Sequence, residues 1–346
     1  MNIETETVDF QSFKKTEGII PENIIKNKKY ILLDSSSDNI LFKGIDKIFI
    51  RNNRVYILDK RLKKLIVFDI EGRGIGRVGQ IGQGPEEYLQ ISDFDVNENG
   101  DIYFIDGTGG GSDRLFVFNK NLQFVFKKDM PFEADIVHCL PNGKLLFGLS
   151  TWNKGENENM RFAITGADMK TEQSLIEYDE YFDDAYWISG YTFVETESGI
   201  LYNKPIDNYV YQFSRAGSLD KAYYFDFGSK NVPDDDKKDI EGNRAKYENY
   251  CCLKNFTVIN DNYILGTLWD KLKTKPFIIV RKDRELYIGE EVASGDLSWI
   301  TGFYDNKFIS YIYPGKYENI QNMDLPDSVK QYVEDENFVL CINELK

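Results

Sequence analysis

Three stretches of this chain carry residue types at spacings that could do chemistry. Gly74-x-Gly76-x-x-Gly79 satisfies the dinucleotide fingerprint, in which backbone N–H groups at a helix start take a pyrophosphate. That chemistry needs a helix directly after the glycines. Here Gly82, Gly84 and Pro85 follow at once, so the expectation is a glycine-bearing strand running into a loop. Asp95-x-Asn97-x-Asn99-Gly100-x-Ile102, with Asp106 at the twelfth place, has the oxygen-donor spacing of a calcium loop. Its flanks, Phe94-Asp95-Val96 and Ile102-Tyr103-Phe104-Ile105, alternate as strands and not as helices. A polar hairpin tip is therefore expected; no cofactor is expected, and calcium is kept as an alternative. His138 is the only histidine, which removes His-pair metal motifs and His-based zinc sites. Its neighbour Cys139 would face the other side of a strand, so a His–Cys pair is disfavoured and a packed histidine is expected. Catalysis would have to rest on carboxylates, tyrosine, arginine or a metal held by main-chain oxygens.

The elements that position such groups follow from composition and repetition. The chain has 346 residues, 42% hydrophobic and 14% aromatic, the latter rich in Tyr and Phe, which favours strands over disorder. Net charge is −15, a field that repels phosphate backbones and argues against a nucleic-acid partner. It also keeps a β-rich surface soluble. Four cysteines are too few for a disulfide scaffold: Cys139 and Cys341 read as small buried hydrophobes, and adjacent Cys251 and Cys252 as reduced thiols. No stretch is long enough for a membrane span, and Met1 to Phe10 lacks the order of a secretory leader. The compartment is therefore left open between cytoplasm and an envelope protein whose leader is absent from this sequence.

One module repeats. Arg54-Val55-Tyr56-Ile57-Leu58-Asp59 overlays Asp101-Ile102-Tyr103-Phe104-Ile105-Asp106, and Leu65 to Asp69 overlays Leu115 to Asn119. Fainter copies follow turn residues at Asn53, Gly100, Gly143, Gly199, Asn262 and Asn306, where a tight hairpin wants positive φ. Six copies of about four strands predict an all-β, six-bladed β-propeller of antiparallel blades. One domain over 1–346 is expected, with an N-terminal extension over 1–28. Blades fall at roughly 44–90, 91–132, 133–182, 183–229, 251–294 and 295–346, the last completed by strand 29–33, which would seal the ring. Pro233 to Tyr250, with acids first and bases later, reads as a helical insertion (232–250), and Leu325 to Glu334 as a second short helix.

The stretch Gly79-Gln80-Ile81-Gly82-Gln83-Gly84-Pro85-Glu86-Glu87-Tyr88 resembles a loop of six-bladed propellers from gut-bacterial envelope proteins, Bacteroides-type relatives of the NHL-repeat propellers. In that family the loop runs Gly-x-Gly-Pro-Gly-Glu-Tyr; Gln83, Gly84, Pro85, Glu87 and Tyr88 fit, and Glu86 stands where glycine is common. The resemblance implies the fold, a strand before the first module and a periplasmic or outer-membrane-anchored location, as for a lipoprotein. It implies no particular ligand.

Candidate ligand-binding residues are of two kinds. Gln83, Glu87 and Tyr88 could present acceptors and a ring on the rim, or tie the loop to the next blade. Asp93, Asp135, Trp187 and Trp299 stand where inner strands start, and propellers bind at the channel mouth. The acid- and aromatic-rich run Tyr181 to Trp187 suits a carbohydrate or cationic peptide by stacking and bidentate acceptance. Arg61 and Arg114, near Asp59 and Asp106, read as rim ion pairs. No nucleophile–base pair stands out, so a non-catalytic binder of a small molecule, glycan or protein is expected, as a monomer. The rival is a propeller enzyme (lactonase, glycan lyase or hydrolase) whose Asp93, Asp135 or Asp296 would converge on the axis, with or without calcium.

Overall fold

The computed structural model describes residues 3–17, 25–107, 113–180, 183, 190–289, 301–315 and 320–346. Six antiparallel four-stranded blades, five of them built from consecutive strands running from the axis outward, form the propeller that the repeats predict. Blade one is Lys47–Arg51, Arg54–Asp59, Lys64–Asp69 and Gly74–Arg77. Blade two is Asp93–Val96, Ile102–Asp106, Arg114–Phe118 and Phe124–Asp129, and blade three Ala134–Cys139, Leu145–Leu149, Met160–Thr165 and Thr171–Glu177. Blade four is Phe193–Thr196, Gly199–Tyr202, Tyr209–Phe213 and Leu219–Asp226. Blade five is Cys251–Ile259, Tyr263–Asp270, Lys273–Val280 and Glu285–Ile288.

Blade six is built from both chain ends. Gly302–Tyr304, Lys307–Ile312 and Val339–Leu345 are followed outward by Ile25–Leu32, in register from Val339↔Leu32 to Leu345↔Ile25. The closing strand is longer than the sequence suggested. Ahead of it, Thr5–Asp9 adds in parallel to the outer edge of blade four, and Lys14–Glu17 to that of blade five. The residues read as an extension therefore wrap the outside of three successive blades.

Two-residue periodicity explains why the ring coheres. Along Arg54–Asp59, Val55 and Ile57 join the cluster shared with blade six, while Tyr56 and Leu58 join the one shared with blade two. All four are fully buried, so the strand has no solvent face. Five of the six turn positions named above have positive φ: Asn53, Gly100, Gly143, Gly199 and Asn306. At Asn262 the Asn260 side chain does the job instead, accepting N–H bonds from Asn262 and Tyr263 at 3.0 and 2.8 Å.

The two faces of the ring differ. On the lower face the blades turn through short hairpins such as 52–53, 197–198 and 305–306. The upper face carries the longer connections, including 33–46, 78–92, 150–159 and 227–250. The insertion is two short pieces, Asp234–Lys237 and Arg244–Asn249, not one helix; Asp239, Gly242 and Asn243 turn the chain between them. Asp327–Glu334 is the second helix expected. No described helix is long and apolar enough to cross a membrane. None of the four cysteines is in a disulfide and all are buried, and burial pushes the Cys252 thiol up to about 12.

Removing residues 1–17 is expected to keep the ring and lower Tm on the order of 5 °C, by loss of two edge strands. Removing residues 1–33 takes the closing strand as well and is expected to abolish a cooperative melt; circular dichroism against temperature reads both.

Candidate functional site

Innermost strands begin at the upper face, because each follows a connection from the blade before. Asp93 and Asp135, at or near the first position of two such strands, therefore stand at the upper mouth of the channel. Each meets a lysine from another blade. Lys47 Nζ lies 2.9 Å from Asp93 Oδ1 and donates to the Phe94 carbonyl, with both side chains almost wholly buried. Asp93 Oδ2 accepts the Val137 N–H at 3.0 Å, so this carboxylate joins blades one, two and three. Burial raises the Asp93 carboxyl above its ordinary value, against the pull of Lys47 and Lys60.

Asp135 is held from blades three and four. Ser150 Oγ donates to Oδ1 at 2.5 Å, the Tyr191 hydroxyl donates to Oδ2, and Lys204 Nζ lies 3.4 Å from Oδ2. Lys204 also reaches the Tyr178 hydroxyl at 3.1 Å. Burial works against its charge, but Tyr178 and Asp135 raise its pKa overall. Beside it, fully buried Arg161 bridges Asp207 at 2.6 Å and Asp179 at 2.7 Å. The Tyr202 hydroxyl, buried in the same group, has no partner among the described residues. Lys60 completes the mouth: burial, with the like charge of Lys47, pushes its ammonium below the ordinary lysine range despite Asp93, Asp46 and Asp135.

Lower down, the channel is crossed. Arg51 of blade one bonds Glu195 of blade four, which stands opposite it in a six-membered ring. His138 Nδ1 lies 2.9 Å from Asp95 Oδ2, which also accepts the Cys139 N–H at 2.7 Å. Burial alone would raise the Asp95 carboxyl; His138, by charge and hydrogen bond, with Lys47 and Arg51, lowers it instead to about 2. Below the upper mouth (the funnel), charged pairs from different blades thus meet near the axis.

The other sequence candidates take different places. Tyr88 is fully buried, donates to the Lys63 carbonyl at 3.0 Å and packs edge-on to Phe104 at 5.2 Å. Glu87 folds back on its own loop, accepting the Gly84 N–H at 2.8 Å, and Gln83 is exposed. None of these three joins Asp93 and Asp135 at the funnel. Trp187, Trp299 and Asp296 lie outside the described residues; the first strands of blades four and six begin later, at Phe193 and Gly302. Gly74–Arg77 is an outer strand, and Gly79 turns with φ 59° where a Cβ would meet Phe118 Cζ at 2.8 Å. The Asp95 stretch is a hairpin in which Asn97 Oδ1 takes the N–H groups of Asn99 and Asp101. Among the described residues no three His, Cys, Asp or Glu side chains cluster to hold a metal. Arg114 does pair with Asp106, at 2.5 Å. Arg61 does not pair with Asp59, whose carboxylate is filled by the N–H groups of Lys43, Gly44 and Leu62.

The sequence reading missed Lys47, Lys60, Arg161, Tyr178, Tyr191 and Lys204. A signal existed for two of them: Lys47 and Arg161 are bases at or next to the start of otherwise largely apolar strands, where a buried charge demands a partner.

Comparison with known proteins agrees with this architecture. A family model described as a domain of unknown function, DUF4934, matches residues 5–344. A Bacteroides fragilis NCTC 9343 protein, provisionally described as exported, superposes with a TM-score of 0.78 at 18% identity, over 98% of this chain and 99% of that one. A DUF4221 member from Bacteroides vulgatus ATCC 8482 gives 0.54 at 12% identity, over 93% and 98%. No curated protein matches the sequence.

Lys47→Met should cost about 3–5 kcal/mol in urea denaturation, because it strands a buried carboxylate; Lys47→Met with Asp93→Asn should recover most of the loss. Asp95, depressed from 3.8 to about 2, stabilises the fold fully above pH 3.8 and progressively less as pH falls through 2. Wild type should therefore lose roughly 2 kcal/mol more than Asp95→Asn between pH 5 and pH 2, measured by denaturant melts at each pH.

Proposed function

The chain belongs to the DUF4934 family, and from that premise we propose that it is a non-catalytic binding propeller of the bacterial cell envelope, holding a glycan or peptide at the upper channel mouth. The observation that carries this reading is the pairing of the funnel's charges. Asp93 and Asp135 are each fixed by partners from a neighbouring blade, with buried Arg161 locked beside them, which suits a rigid recognition site better than groups free to move protons. The long connections on that same face supply walls that vary independently of the ring. The envelope location draws on the likeness to a Bacteroides protein provisionally described as exported.

A second reading has one specific observation behind it. A lysine depressed by burial among carboxylates, as Lys60 is, has the character of a general base or nucleophilic amine. It would make the propeller a lactonase, glycan lyase or hydrolase.

Thermal-shift screening against glycans and peptides, with and without calcium, separates the two. A binder should raise Tm by several degrees with wild type and much less with Lys60→Met. Turnover of a lactone, glycan or peptide by purified protein, lost in Lys60→Met or Asp135→Asn, would sink the binding reading.

A further inference from the structure

A groove of about 710 Å³ lies on the upper face where blade six meets blade one. The funnel's charged groups do not line it. Its floor is aromatic: Phe42 packs tilted against buried Phe338 with centroids 4.7 Å apart, and Tyr313 meets Phe338 edge-on at 5.2 Å. Tyr313 and Leu41 are 37% and 38% exposed, which leaves a ring face and an apolar wall open to solvent.

Two exposed cations flank that floor. Lys43 and Arg61, both exposed, have no ion-pair partner among the described residues, and the buried Asp59 carboxylate nearby accepts the N–H groups of Lys43, Gly44 and Leu62. In a chain with 57 acids against 42 bases, carboxylates to pair them are plentiful, so leaving both open beside an exposed tyrosine is informative. Lys64 is spent on structure, donating to the Asp38 and Leu41 carbonyls at 3.1 and 3.0 Å and so pinning the loop that forms one wall. Asp38 and Glu336 add acceptors at the edge.

Size and shape narrow the occupant. The volume falls in the range of small-ligand pockets, about 300–1,000 Å³. All lining residues except Lys64 stand in loops or turns, so no strand edge is offered to an extended peptide. An open aromatic face beside mixed donors and acceptors suits a sugar ring, and a guanidinium and an ammonium lining one groove without ion-pair partners suit a carboxylate.

We propose that this groove binds a short acidic oligosaccharide of the uronate class, with a sugar ring on Tyr313 and its carboxylate between Arg61 and Lys43. The site is separate from the funnel and does not rest on the reading given for it.

Isothermal titration of the full chain with trigalacturonate, neutral trigalactose and hexaglutamate tests this. Wild type should bind trigalacturonate, and Arg61→Ala and Tyr313→Ala should each weaken it by about 10-fold or more. Trigalactose should bind correspondingly more weakly. Lys282→Ala, on the lower face, removes the same charge and should change nothing. All substituted side chains are exposed, and melting curves confirm folding; Lys43→Ala serves if either main variant is unstable. The proposal falls if trigalacturonate fails to bind, if both variants bind it as wild type does, if trigalactose binds equally well, or if hexaglutamate binds more tightly.

Discussion

A strand buried on both faces needs a neighbour on each side, and that constraint governs the whole molecule. Val55 and Ile57 require blade six, while Tyr56 and Leu58 require blade two. A blade alone would expose one apolar face, and a row of blades would expose two at its ends. Only a closed ring buries them all. Closure falls to one pairing between the chain termini, Ile25–Leu32 against Val339–Leu345, whose hydrogen bonds also remove an open edge. The two parallel strands ahead of it extend the same device over blades four and five.

Closure also makes the axis a place where charges from different blades must meet. Removed from water, each can be tolerated only with a partner. Lys47 with Asp93, Lys204 with Asp135, Arg161 with Asp207, His138 with Asp95 and Arg51 with Glu195 all join residues of different blades. These pairs set blade against blade in one register. The upper face tolerates long loops because none of them contributes to the four-stranded ladders.

The family-like loop illustrates how a recurrent sequence can serve architecture. Tyr88 is in the core between blades one and two, and Glu87 caps its own turn. Asp59 and Asp106 do parallel work one module apart: each closes the second strand of its blade and takes two N–H groups from the connection leading into that blade. The two differ in their arginines: Asp106 also pairs with Arg114, while Asp59 does not pair with Arg61, which stays open at the groove.

The repeat, its period and the closing strand were readable in the sequence, because alternation and turn residues are local and recur. So was the placing of Asp93 and Asp135 at the start of inner strands, since that start is fixed by blade order. Their partners were not readable. Lys47 lies 46 residues from Asp93, and Lys204 lies 69 from Asp135. No local pattern links positions so far apart; they meet only when adjacent blades are docked. The same holds for the groove, whose walls come from residues near 42, 61, 313 and 338. Sequence by itself determined the blades, because each is a local hairpin stack. Tertiary structure decided which charges pair and which stay open, because those contacts exist only between blades.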